Sequence, residues 1–189
     1  MHPVEALLTP FGKMFRNRHA DAAAGLAAMP AFATPNRIVL TSPAFGEGGE
    51  IPAKYCGRFI GDNLSPALAW GELPHATTHL VLIIEDLDVP TTVPGLHVIA
   101  EFAPREVGIP EGALNLGAPG VEFLPNHRGV SGYVGPRPLP GHGPHHYLFH
   151  LFALDTHLDF AQVAQRANLL AAVAGHVLAS GTLTGTRTS

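Results

Sequence analysis

Cysteine is almost absent: Cys56 is the only one in 189 residues. No internal disulfide can form, and a thiolate zinc site has too few ligands. The lone thiol points to a reducing compartment, so a cytoplasmic location is expected. Long apolar runs are missing too, and no integral membrane segment is expected. Charge is sparse, at 14% of residues with a net value of -4, and no basic run is interleaved with aromatics. A nucleic-acid partner is therefore not expected. The chain also lacks a G-x-S-x-G elbow, a P-loop lysine motif, an H-E-x-x-H pair and a G-x-G-x-x-G opening a helix. The common nucleophile, nucleotide and zinc-protease signatures are thus missing.

What is present suits one globular domain: 46% apolar residues in a chain long enough for a proper core. Glycine (21) and proline (18) are both abundant. Helices tolerate them poorly, so a β-rich body with long structured loops is expected. The 12 histidines keep a His/Asp metal site open.

Residues 1–36 differ from the rest. Apolar patches at 4–8 and 22–29 surround a stretch holding Lys13, Arg16 and Arg18, and Pro30 and Pro35 then break the pattern. This reads as an N-terminal extension, partly helical or weakly ordered, that folds back or mediates self-association as a homodimer. Ala31-Phe32-Ala33 resembles a small-residue cleavage site, which leaves export as the alternative. The apolar core before it is short and mostly alanine, and the basic residues stand far from Met1.

Residues 37–189 read as the domain proper. Strands are expected at 37–41, near Trp70, at 79–85, at 96–102 and at 146–154. The run at 79–85 is apolar throughout and should be buried on both faces. Phe160, Val163, Ala167, Leu170, Ala174 and Val177 share a helical face. Asp159 with Gln162 resembles a capping box, and Gly181 suits a left-handed C-cap. A last short strand or ordered tail at 182–186 follows. The simplest architecture is an antiparallel sandwich with a C-terminal helix and peripheral helical segments.

Asp86 and Asp88 close the apolar strand. Such a pair can bind metal, act as a general acid and base, or cap a turn. His97, His145 and His146 open neighbouring strands. On strand 146–154, alternation puts His145 and Tyr147 on the side of Phe149 and Leu151, and His146 on the other. The Gly/Pro-dense loop at 132–147 then delivers polar groups to an apolar wall, as a small-molecule pocket requires. His142-Gly143-Pro144-His145-His146 has no regular ligand spacing.

Two motifs carry a resemblance. Asp86-Leu87-Asp88-Val89-Pro90 is similar to a D-P-D-x-P motif, and residues 133–147 to G-x-P-P-x-G-x-x-x-H-R-Y. Gly49-Glu50-Ile51-Pro52, Tyr55-Cys56, Asn63-Leu64-Ser65-Pro66 and Trp70 extend the match. The chain resembles the phosphatidylethanolamine-binding proteins, or Raf kinase inhibitor-like proteins, in particular the bacterial YbhB/YbcL-like branch. The resemblance covers about 37–187 and implies a mainly β, antiparallel Greek-key β-sandwich. It implies a non-enzymatic protein without cofactor or metal. Its preformed pocket would take a small phosphorylated or other anionic ligand, and it would regulate or inhibit a partner kinase or protease. Asp86, His97, His145, Tyr147 and Arg137 would bind the ligand. Asp88, Pro90, Tyr133, Gly135, Pro138 and Leu139 would shape the pocket. The alternative is a metal-assisted hydrolase using Asp86, Asp88, His97 and His145. The chain departs from the family pattern at Leu87, at His146 in place of arginine, and at Arg137 and Leu139.

Overall fold

The computed structural model describes residues 3–105, 107–126, 128–160, 162–163 and 166–189. Helix α1 (Pro3–Phe15) opens the chain. The strands follow as β1 (Leu40–Thr41), β2 (Gly49–Glu50), β3 (Leu68–Trp70), β4 (His79–Asp86), β5 (Gly95–Phe102), β6 (Gly108–Ile109), β7 (Val121–Phe123) and β8 (His145–Leu154). Helix α2 (Arg166–Val173) and β9 (Val177–Arg187) close it. The described chain is mainly β with two helices. Its strands form two open sheets, β2-β9-β8-β4-β5-β7 and β1-β3-β6. One edge departs from the antiparallel expectation: β2 lies parallel to β9. The two are far apart in sequence, so no hairpin dictates their direction.

The apolar run at 79–85 forms the centre of the large sheet, between β8 and β5. Its alternation feeds two cores. Leu80, Leu82 and Ile84 join Tyr147, Phe149 and Leu151 against Leu68 and Trp70 of the small sheet. Val81 and Ile83 join Phe152 and Leu154 on the other face, under Leu26, Phe32, Leu169 and Val173. A side chain buried as fully as Leu82 contributes about 2 kcal/mol.

The C-terminal expectation needs correction. The helix runs over Arg166–Val173, and Gly175 ends it at φ 85°. Three positions of the expected helical stretch, 161, 164 and 165, lie outside the described residues. Val177 belongs to β9, and Gly181 is no cap: it pairs with Leu151 in mid-strand. Pairing with β8 along nearly the whole length of β9 outweighs a helical spacing that merely continues past Gly175. Asp159 and Gln162 do not stand at the helix start expected of a capping box but before Arg166, and Gln162 Nε2 donates to Asp159 Oδ2 at 2.6 Å.

Residues beyond α1 are tied to β4. The amides of Leu26 and Ala27 donate to the buried Glu85 carboxylate at 2.7 and 3.2 Å.

Candidate functional site

β4 ends at Asp86 directly opposite Tyr147 of β8. Alternation points His145 and Tyr147 to one face, and both are buried, at 2% and 0% exposure. The Asp86 carboxylate, 3% exposed, receives the His145 Nδ1–H at 2.8 and 3.1 Å. It also accepts the Asp88 amide at 2.8 Å. That leaves His145 Nε2 buried with no partner, and the Tyr147 hydroxyl likewise. Burial raises the Tyr147 phenol well above its ordinary pKa, the Asp86 charge adds to this, and the Arg137 backbone amide opposes it. No partner of the hydroxyl meets hydrogen-bond geometry.

His97, on β5, stands perpendicular to Tyr147 with ring centroids 5.2 Å apart. Its Nδ1–H donates to the Val134 carbonyl at 2.6 Å, which fixes the ring on the loop. The structure thus brings together Asp86, His97, His145 and Tyr147. Imidazole and phenol N–H and O–H groups are what a phosphoryl or carboxylate oxygen needs.

The loop residues act as scaffold. Tyr133 donates its hydroxyl to the Tyr55 carbonyl at 2.8 Å. Asn63 donates to the Tyr133 carbonyl at 2.9 Å and accepts from the Gly135 amide at 2.8 Å. A Cβ on Gly135 would collide with the Tyr55 carbonyl and the Cys56 backbone. Pro138 is buried, and Pro90 and Leu139 are half-buried. The Leu139 carbonyl accepts from the His142 amide at 3.0 Å.

The departures from the family pattern have physical uses. The Leu87 amide donates to the His146 carbonyl at 3.1 Å, a bond that proline in its place lacks. His146 bonds Asp88 Oδ2 twice, from its ring at 2.7 Å and its amide at 2.6 Å. These bonds overcome the upward push of burial and hold the Asp88 carboxyl below its ordinary pKa. The exposed Arg137 guanidinium stacks over the Phe59 ring, 4.9 Å from its centroid. Its side chain stays apart from the four converging groups.

Of the four residues of the hydrolase alternative, Asp88 is committed elsewhere. Asp88 spends its two oxygens on His146 and on His19, whose Nδ1–H lies 2.9 Å away.

Sequence reasoning allowed the N-terminal stretch to fold back but did not say what it would cover. Ala20 donates to the Leu87 carbonyl at 3.1 Å, and Asp21 to that of Thr92 at 3.3 Å. Gly12 of α1 packs so tightly on the Pro140 carbonyl that a Cβ would overlap it. His142, 2% exposed, donates Nε2–H to the Arg18 carbonyl at 3.0 Å and sits 4.9 Å from the His145 ring. Asp86, His145 and Tyr147 are thereby closed off, while His97 is half-buried. An open groove of about 560 Å³ at Trp70, Leu73, Pro104 and Arg105 shares no residue with this group. No motif announces the cover. Gly12 and Gly141, facing each other's segments, were its only trace.

The chain matches the family described as phosphatidylethanolamine-binding protein over residues 41–188. A UPF0098 protein of Methanothermobacter thermautotrophicus is 38% identical over 153 residues, 77% of this chain and 95% of that protein. Among solved structures, the phosphatidylethanolamine-binding protein homolog CT736 of Chlamydia trachomatis aligns with a TM-score of 0.70 at 32% identity. That match covers 82% of this chain and 99% of CT736. E. coli YbcL aligns with a TM-score of 0.71 at 23% identity, covering 81% and 99%, a likeness of fold. One relative corrects the expected cytoplasmic location: a Mycobacterium tuberculosis protein, 32% identical over 152 residues, is named "Putative lipoprotein LppC". That name points to an exported or membrane-anchored place. The inference from Cys56 failed because a single buried thiol forms no disulfide in either compartment.

Proposed function

The chain belongs to the phosphatidylethanolamine-binding protein family, and on that premise we propose that Asp86, His97, His145 and Tyr147 bind a small phosphorylated or other anionic ligand without turning it over. The observation that carries this reading is the pair of buried, partnerless polar atoms, His145 Nε2 and the Tyr147 hydroxyl. Such atoms cost roughly 1–3 kcal/mol each when unsatisfied, so a ligand that bonds both recovers that loss. Asp86 does not repel the anion outright, because it faces the far nitrogen of the same imidazole. The pair presents Nε2–H to the ligand and holds the imidazolium charge when protonated. The Arg137 backbone amide, near the Tyr147 hydroxyl, is the further donor.

Regulation of a partner kinase or protease extends this reading and rests on family membership alone. A Greek-key β-sandwich is the fold reading that accompanies it, supported by two sheets sharing one core. The relative named as a lipoprotein supports an exported or anchored location.

Thermal unfolding with inorganic phosphate or phosphoethanolamine tests the proposal. A ligand at 100 times its Kd stabilises by about 2.7 kcal/mol. The shift is expected in the wild type and lost in His145→Ala. Absence of any shift with either anion overturns the reading.

A further inference from the structure

At the other end of β4, away from the anion group, three side chains meet: His79, Glu101 and His157. Each offers one ligand atom, and these atoms lie within 4.8 Å of one another. Glu101 is the centre. Its side chain is 1% exposed, and its Oε2 is buried without a hydrogen-bond partner, 3.6 Å from His157 Nε2. Its other oxygen accepts the Leu158 amide at 2.7 Å, which fixes both the carboxylate and the loop that carries His157. The His79 and His157 rings lie 4.7 Å apart. His79 turns Nδ1 toward Thr78 Oγ1 at 3.3 Å, leaving its other ring nitrogen for a ligand role.

Charge pairing alone does not account for this arrangement. One imidazole would satisfy one carboxylate, yet two converge on Glu101. The strand register also sets Glu122 of β7 directly opposite Glu101 of β5. Like charges directly opposite on neighbouring strands destabilise a sheet. Glu122 Oε1 is 4.0 Å from the same His157 Nε2. A cation between the two carboxylates would resolve both oddities.

We propose that His79, Glu101 and His157 form a divalent transition-metal site of the zinc class, with Glu122 as fourth ligand. Two imidazole nitrogens and two carboxylate oxygens suit zinc, whereas calcium and magnesium favour all-oxygen sets. Zinc bonds of about 2.0–2.2 Å put tetrahedral ligand atoms roughly 3.3–3.5 Å apart. The 3.6 Å separation of His157 and Glu101 is already close to that. The remaining separations, within 4.8 Å among His79, Glu101 and His157, would close by small rotations of the side chains that carry the ligand atoms, His157 being 50% exposed. The metal would staple β4, β5 and β7 to the loop after β8, a structural site and not a reaction centre.

Zinc titration of the full chain, first stripped with chelator and dialysed, tests this by calorimetry. One equivalent is expected to bind with a Kd below about 1 µM. The double variant His79→Ala/His157→Ala should lose at least about a hundredfold in affinity, with its metal-free urea midpoint unchanged. Glu101→Gln keeps the acceptor for Leu158 and should still weaken zinc by about tenfold or more. Cobalt(II) in place of zinc should give the visible absorption of a tetrahedral centre. No equivalent tighter than about 100 µM, or undiminished binding in the double variant, overturns the proposal. The second outcome would place the metal on others of the 12 histidines. Phosphate binding is read separately, so failure here leaves the anion site standing.

Discussion

At one end of β4, Asp86 and His145 are 3% and 2% exposed and are shut in by neighbouring loops and the N-terminal segment. At the other end, His157 reaches a buried Glu101 from the surface, its side chain 50% exposed. Both groups pair imidazole with carboxylate on strands of the same sheet. The difference is where the partners come from. The Asp86 group lies within the span matched to the family, 41–188, but its cover comes from residues before that span. In the far group the carboxylate is buried, but His157 rides on a short loop pinned by one amide. Burial makes the first group costly to disturb and slow to reach. Exposure makes the second cheap to alter and open to exchange.

The sharpest break of that comparison is a pair of alanine substitutions. His145→Ala leaves a buried Asp86 charge without its imidazole and should cost about 3 kcal/mol in urea unfolding. His157→Ala, at the surface, should cost less than about 0.5 kcal/mol in metal-free buffer. Equal losses would show that burial does not separate the two ends.

Between the ends lies His150, opposite Ile83. Burial lowers its pKa to about 4. Above the unfolded value near 6.5 both states are neutral and the group has no effect. As pH falls from there to about 4, the unfolded chain takes a proton that the folded chain refuses. Stability should drop by roughly 3 kcal/mol over that window and level off below it. His150→Gln should flatten this part of the pH profile.

Removing residues 1–21 should act on one end alone. The Asp86 group loses its cover while Leu26 and Phe32 keep the second core. Apparent phosphate affinity should rise on the order of tenfold, as a closed form favoured by about 1.4 kcal/mol is released. Zinc affinity should not change. The smallest expected effect is Arg137→Gly, which gives up a surface contact with Phe59 worth about 0.5 kcal/mol and leaves phosphate binding nearly intact.

The middle of the fold was legible in the sequence because β4 and β8 are long enough for their pattern to speak. Continuous apolarity at 79–85 matches the burial of β4, and alternation matches that of β8 from His145 to His150, beyond which Leu151 to Leu154 are buried on both faces. β9 was partly misread, since its inward positions include Gly181 and Gly185, which carry no hydrophobic signal. Strands as short as β2 and β6 are defined by partners distant in the chain, which local pattern does not contain. Of the site, Asp86, His97, His145 and Tyr147 were readable from motif and parity. The place of the Arg137 side chain, over Phe59, was not legible from motif or parity. The cover over His142 depends on backbone-to-backbone docking at Gly12, which leaves little trace in side-chain identity.

The apolar middle of β4 has a consequence for how the sheet keeps its frame. A strand greasy on both faces carries little information about register, since a slip of one residue trades one buried aliphatic for another. Leu80 through Ile84 would tolerate such a slip almost silently. Asp86 and His79 would not. One step would carry the carboxylate away from His145 and the imidazole away from Glu101. The polar termini thus work as start and stop marks on an otherwise repetitive message, and the Asp86–His145 pair sets the alignment of the strand that holds it.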